Sequence, residues 1–128
     1  MESKLKRILV VDDEQSIREI LSKMLSVIGF EVVVAGTGDE GLGLFQDGPF
    51  DLVITDLEMP GMDGWTLISR IKGDSPDTPV LIMTGSSQVH VAGQMKEQSA
   101  NSVMTKPFRL TELKRTVQRL LSEVHGEA

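Results

Sequence analysis

Three acidic residues and one lysine each stand at the end of a short apolar run of the chain. Asp12 and Asp13 follow Ile-Leu-Val-Val, Asp56 follows Leu-Val-Ile-Thr, and Lys106 follows Val-Met-Thr. Short apolar runs bounded by turn residues are typical of buried parallel strands. Because the carboxyl ends of neighbouring parallel strands meet at one crevice, we expect these four groups to converge at one edge of a sheet.

The donor atoms that these residues offer suit a hard metal ion. Three carboxylates in one crevice repel one another unless a cation lies between them. No histidine or cysteine accompanies them, so the ligands would all be oxygens, which suits Mg²⁺. Each residue alone has an ordinary explanation, since aspartate is common in helix caps and turns and lysine on surfaces. No structural role requires all four residues at the same edge of a sheet.

The elements that must position these groups follow one another as strand and then helix, five times. The clearest helical periodicity lies over 17–28, where Gly29 ends the helix in a left-handed cap. The next helix is weaker because Gly41 and Gly43 each cost about 1 kcal/mol relative to alanine. Such alternation implies a parallel sheet covered by helices on both faces. We predict strands over 6–11, 31–35, 51–55, 79–83 and 102–105, and helices over 17–28, 39–47, 64–73, 88–98 and 110–124.

Length and composition are those of one ordinary globular domain. The chain has 128 residues, of which 40% are hydrophobic and 25% charged, and it contains no cysteine, which excludes disulfides and thiolate metal sites. A net charge of -6 argues against direct binding to nucleic acid. No apolar stretch approaches the ~20 residues that span a bilayer, and no signal peptide is evident, so we expect no membrane insertion and a cytoplasmic location.

Four sequence signatures, in order and at strand ends, resemble those of the receiver domain of two-component response regulators. Val10–Glu14 resembles the acidic start of that family, and Asp56–Gly64 closely resembles its phosphoacceptor loop. Met83–Gly85 and Lys106–Phe108 resemble the remaining two signatures. The resemblance implies an α/β, flavodoxin-like, doubly wound fold with a five-stranded parallel sheet in the order 2-1-3-4-5. It further implies a single receiver domain over 1–128, with a core of about 6–124 and no output domain in this chain.

The resemblance also assigns roles to the acidic residues. Asp56 is expected to accept a phosphoryl group from the phosphohistidine of a sensor histidine kinase or of a histidine phosphotransfer protein, in a magnesium-dependent reaction. Asp13 and Asp56 are expected to ligate Mg²⁺ directly, and Asp12 partly through water. The backbone carbonyl of Glu58 is the other protein ligand that the family implies.

Further residues are expected to hold the phosphoryl group and to time its loss. The resemblance implies that Lys106 pairs with Asp56 and later with the phosphoryl group, and that the Thr84 hydroxyl donates a hydrogen bond to it. Glu58 and Ser86 lie two residues after Asp56 and Thr84, where side chains flank the path of an attacking water. We expect these two residues to set the lifetime of the phosphorylated state.

The chain departs from the family pattern at two positions near its C-terminal part. The position three residues before Lys106 is often aromatic in the family but is Val103 here, so the activating shift is expected to be small or to use other groups. Ser99 replaces an expected glycine, which makes the helix over 88–98 the candidate for the loosest element. Output is still expected through the face formed by the fourth helix, the fifth strand and the fifth helix. The Lys106–Pro107 bond is expected to be cis, which would aim the lysine into the crevice.

These roles describe a phosphoacceptor signalling domain that assists its own phosphorylation and dephosphorylation, and not an enzyme in its own right. Phosphorylation is expected to switch its interaction with a downstream partner, whose identity the sequence does not give. A weak homodimer is the further association that we consider.

A second hypothesis is a dinucleotide site. Gly36–Gly41 matches G-x-G-x-x-G between a predicted strand and a predicted helix, and Asp56 follows at about the 20-residue spacing of that fingerprint. However, Thr37 and Glu40 form a capping box that explains the helix start without a ligand. Asp39 and Glu40 would also place negative charge where a pyrophosphate binds, and the acidic crevice would be left without a role.

Two further classes fit the chain less well. An aspartyl phosphatase often carries a second acid two residues after its nucleophile, where Glu58 stands, but that nucleophile usually follows the first strand and Asp56 follows the third. A flavodoxin-type flavin protein would need a first loop that cradles phosphate. The first loop here is Asp-Asp-Glu, which repels it.

Overall fold

The computed structural model describes residues 5–85 and 101–124 of the chain. The predicted helix over 88–98 lies outside these residues. Every other predicted element is present, with bounds within two residues of those expected. In chain order the elements are β1 (Arg7–Val11), α1 (Gln15–Ile28), β2 (Glu31–Ala35), α2 (Gly38–Asp47), β3 (Leu52–Thr55), α3 (Gly64–Asp74), β4 (Val80–Thr84), β5 (Ser102–Thr105) and α4 (Leu110–Val124).

The five strands form one parallel sheet in the order β2-β1-β3-β4-β5, which confirms the predicted doubly wound fold. The register places Val11 opposite both Ala35 and Thr55. It also places Thr84 opposite Thr105. Residues that directly follow these paired positions therefore leave the sheet at the same level.

The inner strands β1, β3 and β4 are buried on both faces, which explains why they read as continuous apolar runs. Alternate residues of β1 enter different core clusters: Leu9 and Val11 pack on the side of α2 and α3, and Ile8 and Val10 on the side of α1 and α4. The helices contribute matching apolar stripes, such as Leu21 and Leu25 of α1 and Leu113, Val117 and Leu120 of α4. The apolar clusters on the two faces hold the strands in place, and the acidic loops follow directly from the ends of these strands. None of the described helices is long and apolar enough to cross a bilayer.

Two glycines in the helical layer have a clear geometric reason. Gly29 ends α1 in the left-handed conformation, with φ 118°, and its N–H donates to the carbonyl oxygens of Leu25 and Ser26. Gly41 of α2 faces β1, and a Cβ atom there would lie 2.7 Å from a methyl group of Val11. The glycine that weakens α2 as an isolated helix therefore lets α2 approach the sheet closely.

Candidate functional site

The structure brings the four ionisable groups together at the carboxyl edge of the sheet. Asp12 directly follows β1 and Asp56 directly follows β3, and both are buried, with 2% and 7% of their surface exposed. Asp13 is exposed beside them. One carboxylate oxygen from each of the three residues lies within 4.8 Å of the other two. This is an oxygen-only donor set of the size that a single cation occupies.

Lys106 bridges two of these carboxylates. Its ammonium nitrogen lies 2.9 Å from Asp12 Oδ2 and 2.9 Å from Asp56 Oδ2, and 3.5 Å from Glu14 Oε1. The backbone N–H of Lys106 donates to the carbonyl oxygen of Thr84 at 2.8 Å, which continues the pairing of β5 with β4. The Lys106–Pro107 peptide bond is cis, so the expectation from the sequence is confirmed.

The loop after β3 holds the Asp56 carboxylate from the other side. Asp56 Oδ1 accepts hydrogen bonds from the backbone N–H groups of Leu57, at 2.7 Å, and Glu58, at 3.3 Å. The loop then turns back, because the Gly64 N–H donates to the Leu57 carbonyl at 3.0 Å. Asp63 caps α3 by accepting the Thr66 N–H at 2.8 Å. Asp56 therefore has one oxygen fixed by the backbone and the other paired with Lys106.

The crevice carries an excess of negative charge. Burial raises the pKa of Asp12 above its ordinary value, although the Glu14 N–H and Lys106 both act to lower it. Burial alone would lower the pKa of Lys106, but its hydrogen bonds to Asp12 and Asp56 outweigh burial and raise it. The carboxylates of Asp12, Asp13 and Asp56 therefore outnumber the Lys106 ammonium, which Glu14 also approaches at 3.5 Å, and a divalent cation could balance the excess negative charge.

Three more residues predicted for the site belong to the described part of the chain. Thr84 is fully buried at the end of β4, and its own carbonyl oxygen accepts the Lys106 N–H. Glu58 is exposed, with its backbone N–H directed at Asp56. Val103 is partly buried and packs against the core on the side of α2 and α3. Ser86 lies outside the described residues, as does Ser99.

Two contacts of the site were not foreseen from the sequence. Lys106 was expected to pair with Asp56 but also bridges Asp12, and the Arg18 guanidinium donates to the Asp12 carbonyl oxygen at 2.7 Å. Asp12 and Asp56 follow β1 and β3 at the same level of the sheet, so a lysine that reaches Asp56 could have been expected to reach Asp12 as well. The second is made by a backbone atom, which leaves no trace in residue type or spacing.

The glycine-rich segment before α2 has its own hydrogen bonds. The Thr37 hydroxyl accepts the Glu40 N–H at 3.1 Å, and Glu40 Oε1 accepts the Gly36 N–H at 2.8 Å. The Thr37 half of the predicted capping box is thus present, while Glu40 accepts the N–H of Gly36, one residue before the cap, and both bonds use N–H groups that a pyrophosphate would require. This geometry counts against the dinucleotide hypothesis.

The family model of the response regulator receiver domain, which describes the sequences of that family, matches residues 8–118 of the chain. The chain belongs to this family. It is 40% identical over 121 residues to the probable transcriptional regulator ycf27 of Cyanophora paradoxa, covering 94% of this chain and 50% of that protein. This receiver domain spans about half the length of that relative, and a quarter of the regulatory protein AtoC of Escherichia coli, which is 39% identical over 115 residues.

Solved structures of receiver proteins resemble it closely. The chemotaxis protein CheY4 of Vibrio cholerae superimposes with a TM-score of 0.87 at 33% identity, covering 91% of this chain and 99% of that one. The response regulator TrrA of Thermotoga maritima, in complex with Mg²⁺ and BeF, gives a TM-score of 0.83 at 39% identity, with the same two coverages of 91% and 99%. The chain is therefore a receiver domain of the kind found in two-component response regulators.

Proposed function

We propose that this receiver domain accepts a phosphoryl group on Asp56 in a magnesium-dependent reaction. The observation that carries the proposal is the placement of Asp56 between the Lys106 ammonium and the carboxylates of Asp12 and Asp13. A phosphoryl group on Asp56 would enter a crevice that already contains the Lys106 ammonium. The carboxylates there carry enough negative charge to bind a metal cation as well. Phosphoryl transfer depends mainly on such positioning and charge neutralisation.

The residues present fit Mg²⁺. The donors are carboxylate oxygens alone, they lie within 4.8 Å of one another, and they carry more negative charge than Lys106 balances. Asp13 and Asp56 would hold the ion directly, with Asp12 acting partly through water and the Glu58 carbonyl completing the protein ligands. When bound, Mg²⁺ would neutralise charge on the phosphoryl oxygens.

The protein groups divide the remaining work. The Asp56 carboxylate attacks phosphorus, so an oxygen–phosphorus bond forms as the bond from phosphorus to the donor imidazole nitrogen breaks. The Lys106 ammonium, now 2.9 Å from Asp56, would follow the negative charge onto the phosphoryl oxygens. Thr84, at the end of the adjacent strand β4, would donate its hydroxyl to the same group. Glu58 and Ser86 would set the rate at which water removes it.

The donor is a phosphohistidine, either of a sensor histidine kinase or of a histidine phosphotransfer protein. Receiver domains of response regulators work with such kinases and with downstream effector domains, and relatives of this chain are transcriptional regulators. We propose that this domain acts in the same way as a phosphoacceptor that assists its own chemistry, and not as an enzyme with turnover of its own. The cytoplasmic location, the weak homodimer and the downstream partner stay predictions.

Titration with Mg²⁺ tests the ligand assignment. Asp13→Ala should abolish most of the affinity measured by calorimetry, because Asp13 contributes a direct ligand, whereas Asp12→Ala should weaken it less. Asp39→Ala removes an exposed acid of α2 and serves as the matched control, with affinity equal to that of the wild type. Equal affinity in Asp13→Ala and the wild type would contradict the proposed site.

A further inference from the structure

The loop that carries Asp12 and Asp13 is held by the side chain of Arg18, which has no role in the proposed phosphoryl transfer. Arg18 lies in the first turn of α1, and its guanidinium donates to the Asp12 carbonyl oxygen at 2.7 Å. The Asp12 N–H donates to the carbonyl oxygen of Ala35 at 3.1 Å. Both backbone polar groups of Asp12 are therefore fixed, one by the neighbouring strand and one by Arg18.

The orientation of the Asp12–Asp13 peptide matters because little else directs Asp13. The exposed Asp13 carboxylate makes no hydrogen bond or ion pair with any residue in 5–85 or 101–124. Glu14 is the N-cap of α1, but its side chain makes no capping hydrogen bond. The carboxylate of Asp12 accepts the Glu14 N–H at 2.9 Å instead. Asp13 thus depends on the backbone that precedes it to face the other two acids.

Gly36 provides the space that the Arg18 guanidinium occupies. A Cβ atom at position 36 would lie 3.3 Å from Nη1 of Arg18, so the guanidinium would have to shift by a few tenths of an ångström, and 3.6 Å from Cζ, which is ordinary contact. The backbone of Gly36 is not in the left-handed region, so conformational freedom is not the reason for glycine there. The first glycine of the segment that resembles a dinucleotide fingerprint therefore has a packing role beside the acidic loop.

We propose that Arg18 is a positioning residue for the metal site. Its guanidinium fixes the Asp12–Asp13 peptide so that the Asp13 carboxylate faces Asp56, and Gly36 leaves the room for it to do so. This inference rests on the magnesium site proposed above. It assigns to α1 a part in metal binding that is separate from its packing against the sheet.

The sign of the effect distinguishes positioning from simple electrostatics. The positive charge of Arg18 lies close to the acidic crevice, so its field opposes the binding of a cation. If charge were the only effect, removing it would tighten Mg²⁺ binding. If Arg18 positions Asp13, removing it weakens binding, because a ligand loses its preorganisation.

Calorimetric titration of the whole chain with Mg²⁺ tests this inference. Arg18→Gln should raise the dissociation constant about tenfold, the lower end of the range for groups that support metal ligands. Arg18→Lys should recover part of the loss, since an ammonium can also donate to the carbonyl. The control is Arg119→Gln, which removes the same charge from an arginine of α4 that contacts Ser102 and Glu123, and it should leave the affinity unchanged.

A second pair of variants keeps the test valid if Arg18→Gln is poorly folded. Gly36→Ala retains Arg18 but displaces it, and should weaken Mg²⁺ binding in the same direction. Gly43→Ala meets nothing within 4 Å and should not. Unchanged or tighter binding in both Arg18→Gln and Gly36→Ala, with normal binding by the wild type, would overturn the role of Arg18 alone. A wild-type chain that does not bind Mg²⁺ would overturn the proposed metal site and this inference together.

Discussion

Asp12 carries a charge that its surroundings accommodate only in part. It is 2% exposed, and burial raises the pKa of its carboxyl in spite of hydrogen bonds from the Glu14 N–H and Lys106. The ionised form is therefore less favourable in the folded chain than in the unfolded chain. A site that concentrates acids for a cation lowers the stability of the protein that contains it.

Neutralising Asp12 should stabilise the fold when Mg²⁺ is absent. At pH 7 we expect Asp12→Asn to raise the free energy of unfolding by on the order of 1 kcal/mol, a typical size for one site. The pKa of Asp12 in the folded chain lies above the ordinary value of 3.8, so the wild type loses stability relative to the variant as pH rises through the interval between them. Below that interval the Asp12 carboxyl is protonated in the folded and in the unfolded chain, so its charge no longer contributes to the stability difference between wild type and variant.

Thermal unfolding of both proteins in a metal chelator, from pH 3 to pH 8, measures this difference. Asp47→Asn is the control, because Asp47 is an exposed acid at the C-terminal end of α2, outside the acidic crevice, and its neutralisation should change the stability little. A variant less stable than the wild type at pH 7 would show that Lys106 stabilises ionised Asp12 more than burial opposes it.

At the scale of elements, the N-terminus of α3 defines the position of the Asp56 loop. Gly64 is buried against this loop, and a Cβ atom there would collide with the carbonyl oxygen of Asp56 and lie 2.7 Å from Leu57 Cα. Both obstacles are backbone atoms, which cannot rotate away as a side chain can. The start of α3 and the end of β3 therefore hold each other in place.

Gly64→Ala should displace α3 from the loop and destabilise the protein by about 1–3 kcal/mol, the usual cost of overpacking. Gly73→Ala is the matched control in the same helix, since its Cβ atom would meet nothing within 4 Å. It should stabilise the protein by about 0.5–1 kcal/mol through helix propensity. Chemical denaturation of both variants measures the two effects, and equal effects of the same sign would refute the packing argument.

The elements themselves could be predicted from the sequence because apolar periodicity reports burial directly. The strand order followed from the resemblance, and the convergence of Asp12, Asp56 and Lys106 followed from the meeting of parallel strand ends. The contacts that could not be predicted involve backbone atoms, which every residue has, or neighbours that meet only in the folded structure. The Arg18 bond reaches a backbone carbonyl, and Gly41 and Gly64 are explained only by the neighbours they meet in space.

At the scale of the whole molecule, the site exists only when the complete sheet is assembled. Lys106 meets Asp12 across 94 residues of sequence and Asp56 across 50. A movement of Lys106 or Thr84 toward a phosphoryl group would act on the ends of β5 and β4, far along the chain from the acceptor. Changing such a protein from mostly inactive to mostly active takes about 5.5 kcal/mol of differential stabilisation.

Val103 leads us to expect a graded response. It is a partly buried valine packed against the core, without the bulk of an aromatic ring that could move between two positions. Beryllofluoride with Mg²⁺, which mimics the phosphoryl group, should therefore produce moderate NMR shift changes, mainly over 84–109. Changes restricted to 57–64, with none over 84–109, would mean that this switch does not operate through β4 and β5.

The most direct test of the phosphoacceptor is the intact mass of the protein after incubation with acetyl phosphate and Mg²⁺. The wild type should gain one phosphoryl mass, and the gain should require Mg²⁺. Asp63→Asn, which keeps a favourable cap on α3, should be labelled like the wild type. Asp56→Asn should gain nothing. Labelling of Asp56→Asn to the same extent as the wild type would contradict the assignment of Asp56.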